Sequence, residues 1–416
     1  MNFTLSPEQL ELQQRVREFA QREIAPQAHE YDEKEAFNRD LFNRMGETGL
    51  LGMVLPKAFG GQDESVVNYC IAGEELAAAD AGLTLSYGAH AVLCANNIAR
   101  NADDAQKQKY LPKLASGEWI GSLAMTEPHS GSDVLSLRTR AEKRDGYWLL
   151  NGCKTYITNA PYANVVLVYA RTNPELGPHG ISAFLVDTSL PGFEVEHRFQ
   201  KMGMKSSPTG QITFTNMELP EEALMGGENM GLAILMSGLD VERASGGALG
   251  VGIARAAFEM ALHHARKRRQ FKKPIIQYQM VGDKLATMYT EIEAARLLTF
   301  MAAAKCDSGE RATLEASLAK LKAAEVAEMV GMEAVQIFGG HGYMRPTGIE
   351  RLARDAKLLT IGGGTSEIQK MIIIKHFTGE WGTVETATDA SFIEPADPNA
   401  YERSLSQDEA ATATNN

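Results

Sequence analysis

Cysteine is scarce and unpaired in this chain. The four, at 70, 94, 153 and 306, form no C-x-x-C pair and offer no disulfide framework, which points to a reducing cytoplasm, or the matrix for an organellar protein. No apolar run approaches the roughly 20 residues that cross a bilayer, so no membrane insertion is expected. The N-terminus, MNFTLSPEQL, has neither a basic nor an apolar stretch and does not read as a signal peptide. Positive charge is in deficit: a net charge of −12 argues against nucleic acid as a main partner. The nine histidines form no H-x-x-x-H or Cys/His cluster, so no metal site is expected. FGGHGY and IGGGTSE lack the G-x-G-x-x-G spacing and sit in no βαβ unit, which argues against a Rossmann dinucleotide site.

What remains is enough to bury a large core: 416 residues, 44% of them hydrophobic, in two or three domains. Ser6-Pro7-Glu8-Gln9 reads as a helix start, with Ser6 as N-cap, Pro7 at the first helical position and Gln9 closing a capping box. Helical spacing continues to about residue 115, broken by the turn-rich GLLGMVLPKAFGGQ at 49–62. From about 119, runs such as VVLVYA (165–170), ISAFLV (181–186) and QITFTN (211–216) alternate with Gly/Pro/Asn breaks, as strands do. After Gly231 long Ala/Leu/Met/Glu-rich helices return. The expected fold is therefore α+β: an N-terminal helical domain (1–118), a middle β domain (119–230) and a C-terminal helical bundle (231–381). Residues 382–416 carry seven acids against one arginine, half the net charge, and their composition predicts disorder.

Several stretches carry chemistry. In MTEPHSGSD (125–133) a Gly/Ser-rich turn can converge unpaired N–H groups on a phosphate; otherwise it is a polar solvent loop. ARKRRQF (265–271), with Lys272 and Lys273, is the one dense basic run, open to reading as a solvated helix face or a nucleic-acid patch. SGLDVER (237–243) and RDAKLLTIGGGTSEIQ (354–369) pair a helical glutamate with a glycine-rich turn.

Those stretches, with NGCKTYITN (151–159) and QIFGGHGY (336–343), resemble the acyl-CoA dehydrogenase family in the right order from about residue 3 to 380, most closely its isovaleryl-CoA branch. The resemblance implies FAD-dependent α,β-dehydrogenation of an acyl-CoA thioester. A carboxylate takes the α-proton and flavin N5 takes the β-hydride, since no side chain can serve as the electron sink. Many members carry the catalytic glutamate in the glycine turn, where this chain has Gly363. The matching replacement is Glu242, where the isovaleryl and long-chain branches keep theirs; a surface glutamate paired with Arg243 or Arg255 is the bland alternative. Gly363 would supply a backbone N–H to the thioester carbonyl, beside a flavin hydroxyl.

The resemblance also assigns the ligand groups. Leu123, Met125, Thr126 and Ser132, then Tyr156, Ile157 and Thr158, would hold the flavin; many relatives have Trp at the position of Tyr156. Thr365 and Glu367 would complete that side. Arg268, Phe271 and Gln279, with Gln336, Gly339 and Gly340, would reach the FAD of a neighbouring subunit, which implies a homotetramer built as a dimer of dimers. Ser132, Leu239, Asp240, Arg243, Gly246, Gly362, Gly363 and Gly364 would line the thioester site. Lys205 stands where relatives often have Arg, which keeps a point charge but loses bidentate pairing. Electron-transfer flavoprotein is the implied acceptor.

Small residues bear on the acyl group. Gly246, one turn after Glu242, replaces a leucine of the isovaleryl branch, and Gly247 and Gly250 follow. Each lowers helix propensity by roughly 1 kcal/mol relative to Ala, which suggests either close helix packing or ligand space. The expected substrate is a short- to medium-chain, 3-methyl-branched acyl-CoA. A citronellyl-like longer chain and an acyl or aminoacyl group on a carrier protein remain as alternatives.

Overall fold

The computed structural model describes residues 4–378; the acidic tail expected from 382 lies outside them. Residues 4–373 form one compact unit. The chain opens with helices α1 (Pro7–Phe19), α2 (Ala25–Lys34), α3 (Arg39–Glu47), α4 (Val66–Ala79), α5 (Ala81–Gly88), α6 (Asn97–Asn101) and α7 (Asp104–Ser116). The α1 start is the expected one: Ser6 Oγ accepts from Gln9 N, and the Gln9 side chain accepts from Ser6 N. Between α3 and α4, the segment 49–62 makes two short 3-10 turns rather than a helix.

Eight strands follow: β1 (Gly121–Ala124), β2 (Arg140–Arg144), β3 (Tyr147–Thr158), β4 (Val165–Arg171), β5 (Ile181–Asp187), β6 (Phe193–Arg198), β7 (Thr209–Pro220) and β8 (Leu224–Met225). They pair in the order β6-β7-β3-β2-β4-β5-β8, with β1 parallel to β4. Strand β4 is apolar and buried from Val165 to Ala170 because both its faces are covered. Leu167 and Tyr169 pack with Ile98, Leu111 and Leu114 of the helices, whereas Val166 and Val168 pack with Trp148, Phe184 and Phe214 of the sheet's own core.

The C-terminal bundle is α8 (Gly231–Lys267), α9 (Gln279–Asp307), α10 (Thr313–Phe338), α11 (Ile349–Lys357) and α12 (Ser366–Thr378). Here two of the α8 glycines find a packing role. A β-carbon at Gly247 would come within 2.7 Å of Thr299 Oγ1 on α9, and one at Gly250 within 2.9 Å of the Ala323 carbonyl on α10. Gly246 differs, since a β-carbon there would meet only Lys320 Cγ, at 3.8 Å. No helix is long and apolar enough to cross a membrane, and no group of metal-ligating side chains occurs, among the described residues.

Candidate active site

Glu242 sits in the first third of α8, facing the turn that joins α11 to α12. A β-carbon at Gly363 would lie 3.5 Å from Glu242 Oε1. Glu242 pairs with neither arginine considered for it: Arg243 is 3.5 Å from Asp240, and Arg255 binds Glu74, Glu75 and Glu259. Burial pushes the Glu242 carboxyl above its ordinary pKa, while Arg243 and Lys320 pull it back.

The turn requires glycine: φ is +64° at Gly363 and +82° at Gly364. Its carbonyls are tied back. Gln369 Nε2 donates to Gly363 O (3.2 Å) and Gly364 O (3.1 Å), and Lys320 Nζ donates to Leu359 O (2.7 Å) and Gly364 O (2.6 Å). Among the described residues the Gly363 N–H meets no backbone acceptor. A free donor therefore stands beside a carboxylate whose pKa is raised.

The expected flavin stretches lie side by side. After β1 the chain continues along β3, where Thr155 N donates to Thr126 O (2.9 Å). One extra residue between Lys154 and Ile157 bulges β3 against β7. The bulge holds Tyr156 at φ +58° and turns its ring outward, 68% exposed. Ile157 points the other way, into the sheet core, so only its backbone is available on the outer side. Thr158 O accepts from Ser122 Oγ (2.5 Å), and Ser132 is exposed. Leu123 and Met125 pack in the same cluster as Leu239, one turn before Glu242, which links this group to the glutamate.

Beneath Met125 and Thr126 lies an ion pair that the sequence reading missed. Lys154 and Glu127 are buried 2.9 Å apart, and Lys154 Nζ also donates to Met125 O (3.0 Å). Glu127 further accepts from the N–H groups of Arg138 (2.6 Å) and Thr139 (2.9 Å). Burial brings the Lys154 pKa down to about 8 despite Glu127.

Other expected residues are engaged differently. Asp240 accepts from Ala312 N (3.2 Å) and Thr313 Oγ1 (3.1 Å), so its carboxylate caps the start of α10. Arg243 is buried, with its Nε unpartnered. Thr365 Oγ1 accepts from Ile368 N (3.2 Å) at the start of α12, and Glu367 is exposed. Lys205 meets Glu35 at 2.8 Å, a point-charge pairing.

Arg268, Phe271, Gln279, Gln336, Gly339 and Gly340 are all exposed, and they belong to the far end of the bundle. There His264 stacks on Phe338 at 4.2 Å, joining the ends of α8 and α10. At about 1.5 Å rise per residue, Arg268 lies roughly 39 Å along α8 from Glu242. The two groups cannot converge on one ligand end within a single chain.

These residues fit a flavin and a thioester as polar, open surfaces. A β-carbon at Gly131, Gly339 or Gly340 would meet nothing within 4 Å. Around the glutamate and the glycine turn, Arg243 Nε, Ser366 Oγ and Gln369 Oε1 are buried without protein partners among the described residues, as atoms awaiting a polar ligand are. Sequence reading also passed over Lys320 and Gln369. The available signal for Lys320 was its place on an alanine stripe, with Ala316, Ala319, Ala323 and Ala327, where a charge must be buried.

Comparison with known proteins agrees along the chain. Family models described as the acyl-CoA dehydrogenase N-terminal, middle and C-terminal domains match residues 6–118, 122–217 and 229–378. A mitochondrial isovaleryl-CoA dehydrogenase from Oryza sativa is 42% identical over 88% of this chain and 90% of its own. The butyryl-CoA dehydrogenase structure from Megasphaera elsdenii has a TM-score of 0.89 at 37% identity, covering 91% of this chain and all of that one. Two further structures are the prolyl acyl carrier protein oxidase AnaB and PigA with FAD and proline. They give 0.88 at 33% identity and 0.89 at 31%, over 90% and 92% of this chain and the whole of each of theirs.

Proposed function

The chain belongs to the acyl-CoA dehydrogenase family, with FAD as its cofactor, and we propose that its substrate is a short- to medium-chain, 3-methyl-branched acyl-CoA. Glu242 takes the acidic α-proton of the thioester. The observation that carries this role is its carboxylate standing against the Gly363 turn, with no ion pair to neutralise it among the described residues. Its raised pKa makes it a stronger base than an exposed glutamate. The Gly363 N–H donates to the thioester carbonyl as negative charge develops there, held in place by the tied-back carbonyls of the turn. Bound FAD supplies the acceptor for the hydride leaving the β-carbon. Leu239, Leu123 and Met125 form the apolar wall that keeps water from the reacting carbons.

Thr126, Ser132, Tyr156 and Thr158 hold the flavin from one chain, while the Arg268–Phe271 and Gln336–Gly340 group serves the flavin of a second copy. The roughly 39 Å separation along α8 supports this sharing, and the assembly is a homotetramer. Electron-transfer flavoprotein reoxidises the enzyme.

A second reading, an aminoacyl or acyl group on a carrier protein, is favoured by the likeness to AnaB and by the use of the Asp240 carboxylate to cap α10. Anaerobic mixing of the yellow protein with butyryl-, isovaleryl- and longer 3-methyl-branched acyl-CoA, and with a prolyl carrier-protein thioester, separates the two. Bleaching by branched acyl-CoA is expected. Bleaching by the carrier thioester alone establishes the second reading, and no bleaching by any of them overturns both.

A further inference from the structure

Lys320 is out of place by composition and in place by geometry. It interrupts the alanine stripe of α10 and is 4% exposed. A buried ammonium is costly unless its donors are used. Two of them are used on the glycine turn, at Leu359 O (2.7 Å) and Gly364 O (2.6 Å), the carbonyls that bracket Gly362 and Gly363. The stem runs between two glycines: a β-carbon at Gly246 would lie 3.8 Å from Cγ, and one at Gly363 4.0 Å from Cε. No carboxylate forms an ion pair with it among the described residues, yet Glu242 is the charge that acts on it most strongly.

We propose that Lys320 is a positioning residue for proton abstraction, fastening the Gly363 turn opposite Glu242 and supplying the cation that keeps this buried carboxylate ionised. The inference rests on the functional reading above. The charged and titratable groups around the pair are few. Glu242 is faced by Arg243 from its own helix, Lys320 from α10 and Tyr169 from β4. Lys320 is faced by Glu242 and Arg243 from α8 and by Glu367 from α12. Arg243 is shared with Asp240, whereas Glu242 acts on Lys320 more strongly than the exposed Glu367 does. Burial lowers the Lys320 pKa to about 8. It is therefore charged below about pH 8. A β-carbon at 246 would stand in ordinary contact with the Lys320 stem, so only a larger side chain there would displace it.

The test compares wild type with Lys320→Met, which keeps the stem but removes donors and charge, and Lys320→Arg, which keeps the charge. The rate of anaerobic flavin reduction by isovaleryl-CoA is followed against pH. For Lys320→Met the acid limb should move to higher pH by about one unit or more, a tenfold loss of ionised base below the limb. Lys320→Arg should keep the limb near its wild-type position even where its bulk slows the plateau. A uniform loss of rate with an unmoved limb in Lys320→Met makes the residue merely structural and overturns the proposal. Should Lys320→Met fail to fold, a displaced limb in Lys320→Arg overturns it equally. Unreactive wild type defeats the functional reading and this inference together, whereas reactive wild type with an unmoved limb defeats this inference alone.

Discussion

Glu242 Oε1 occupies the space beside Gly363: a β-carbon on that glycine would stand 3.5 Å from it. The two positions are 121 residues apart in the chain, yet a carboxylate from either backbone would enter one volume. Two glutamates there would repel each other and raise one pKa strongly. One carboxylate and one glycine are the compatible arrangement.

Glu242→Gln is expected to keep FAD and thioester binding while reducing the flavin about 10²–10⁴-fold more slowly, the usual range for a lost general base. Rapid-mixing measurements that find near wild-type reduction would remove Glu242 from the mechanism.

The double change Glu242→Gly with Gly363→Glu should recover part of the activity lost in Glu242→Gly alone. Recovery is limited because φ of +64° at residue 363 costs a side chain about 1–2 kcal/mol. An absence of any gain over the single variant would show that the two backbones do not aim at the same proton.

Glu242 should also leave a mark on stability. Burial raises its folded pKa above the unfolded value, so its contribution is fully present below the unfolded pKa and is lost as pH rises through the folded pKa. Glu242→Gln should therefore melt above wild type at pH 8, with the difference closing toward pH 4. Calorimetry on the two proteins across that range provides the check; a constant difference would count against a buried, ionising carboxylate.

Gly246→Leu should shift preference toward isovaleryl- or butyryl-CoA by lowering kcat/KM for longer branched chains, since added volume in a packed pocket costs about 1–3 kcal/mol. Parallel decline for all substrates, together with a moved acid limb, would instead show that the new side chain acts by displacing Lys320.

Lys154→Met should destabilise the protein by about 1–3 kcal/mol, because Glu127 loses its cation but keeps the Arg138 and Thr139 N–H groups, and it should loosen FAD through Met125, whose carbonyl Lys154 holds. Adding Glu127→Gln should recover part of the stability. Additive losses in denaturant titrations would mean that the pair is not coupled.

Local physics made much of this protein legible in its sequence. The Ser6–Gln9 capping box needs only adjacent residues, and the continuous apolar run of β4 already implies burial on both faces. The order of helices, sheet and helices follows from periodicity alone, and the motifs singled out Glu242 and Gly363 as a pair. Other features depend on which elements meet, and no spacing in the chain encodes that. Three glycines in ASGGALG read alike, but contact with α9 and α10 makes Gly247 and Gly250 packing sites and leaves Gly246 against Lys320. That the Asp240 carboxylate also caps the start of α10 depends likewise on which elements meet. The alanine stripe hints that Lys320 is buried, but what it binds, and the burial of the Lys154–Glu127 pair, emerge only in the tertiary structure. Burial turns a side chain's charge into an energetic demand for partners, and only the folded chain decides where those partners stand.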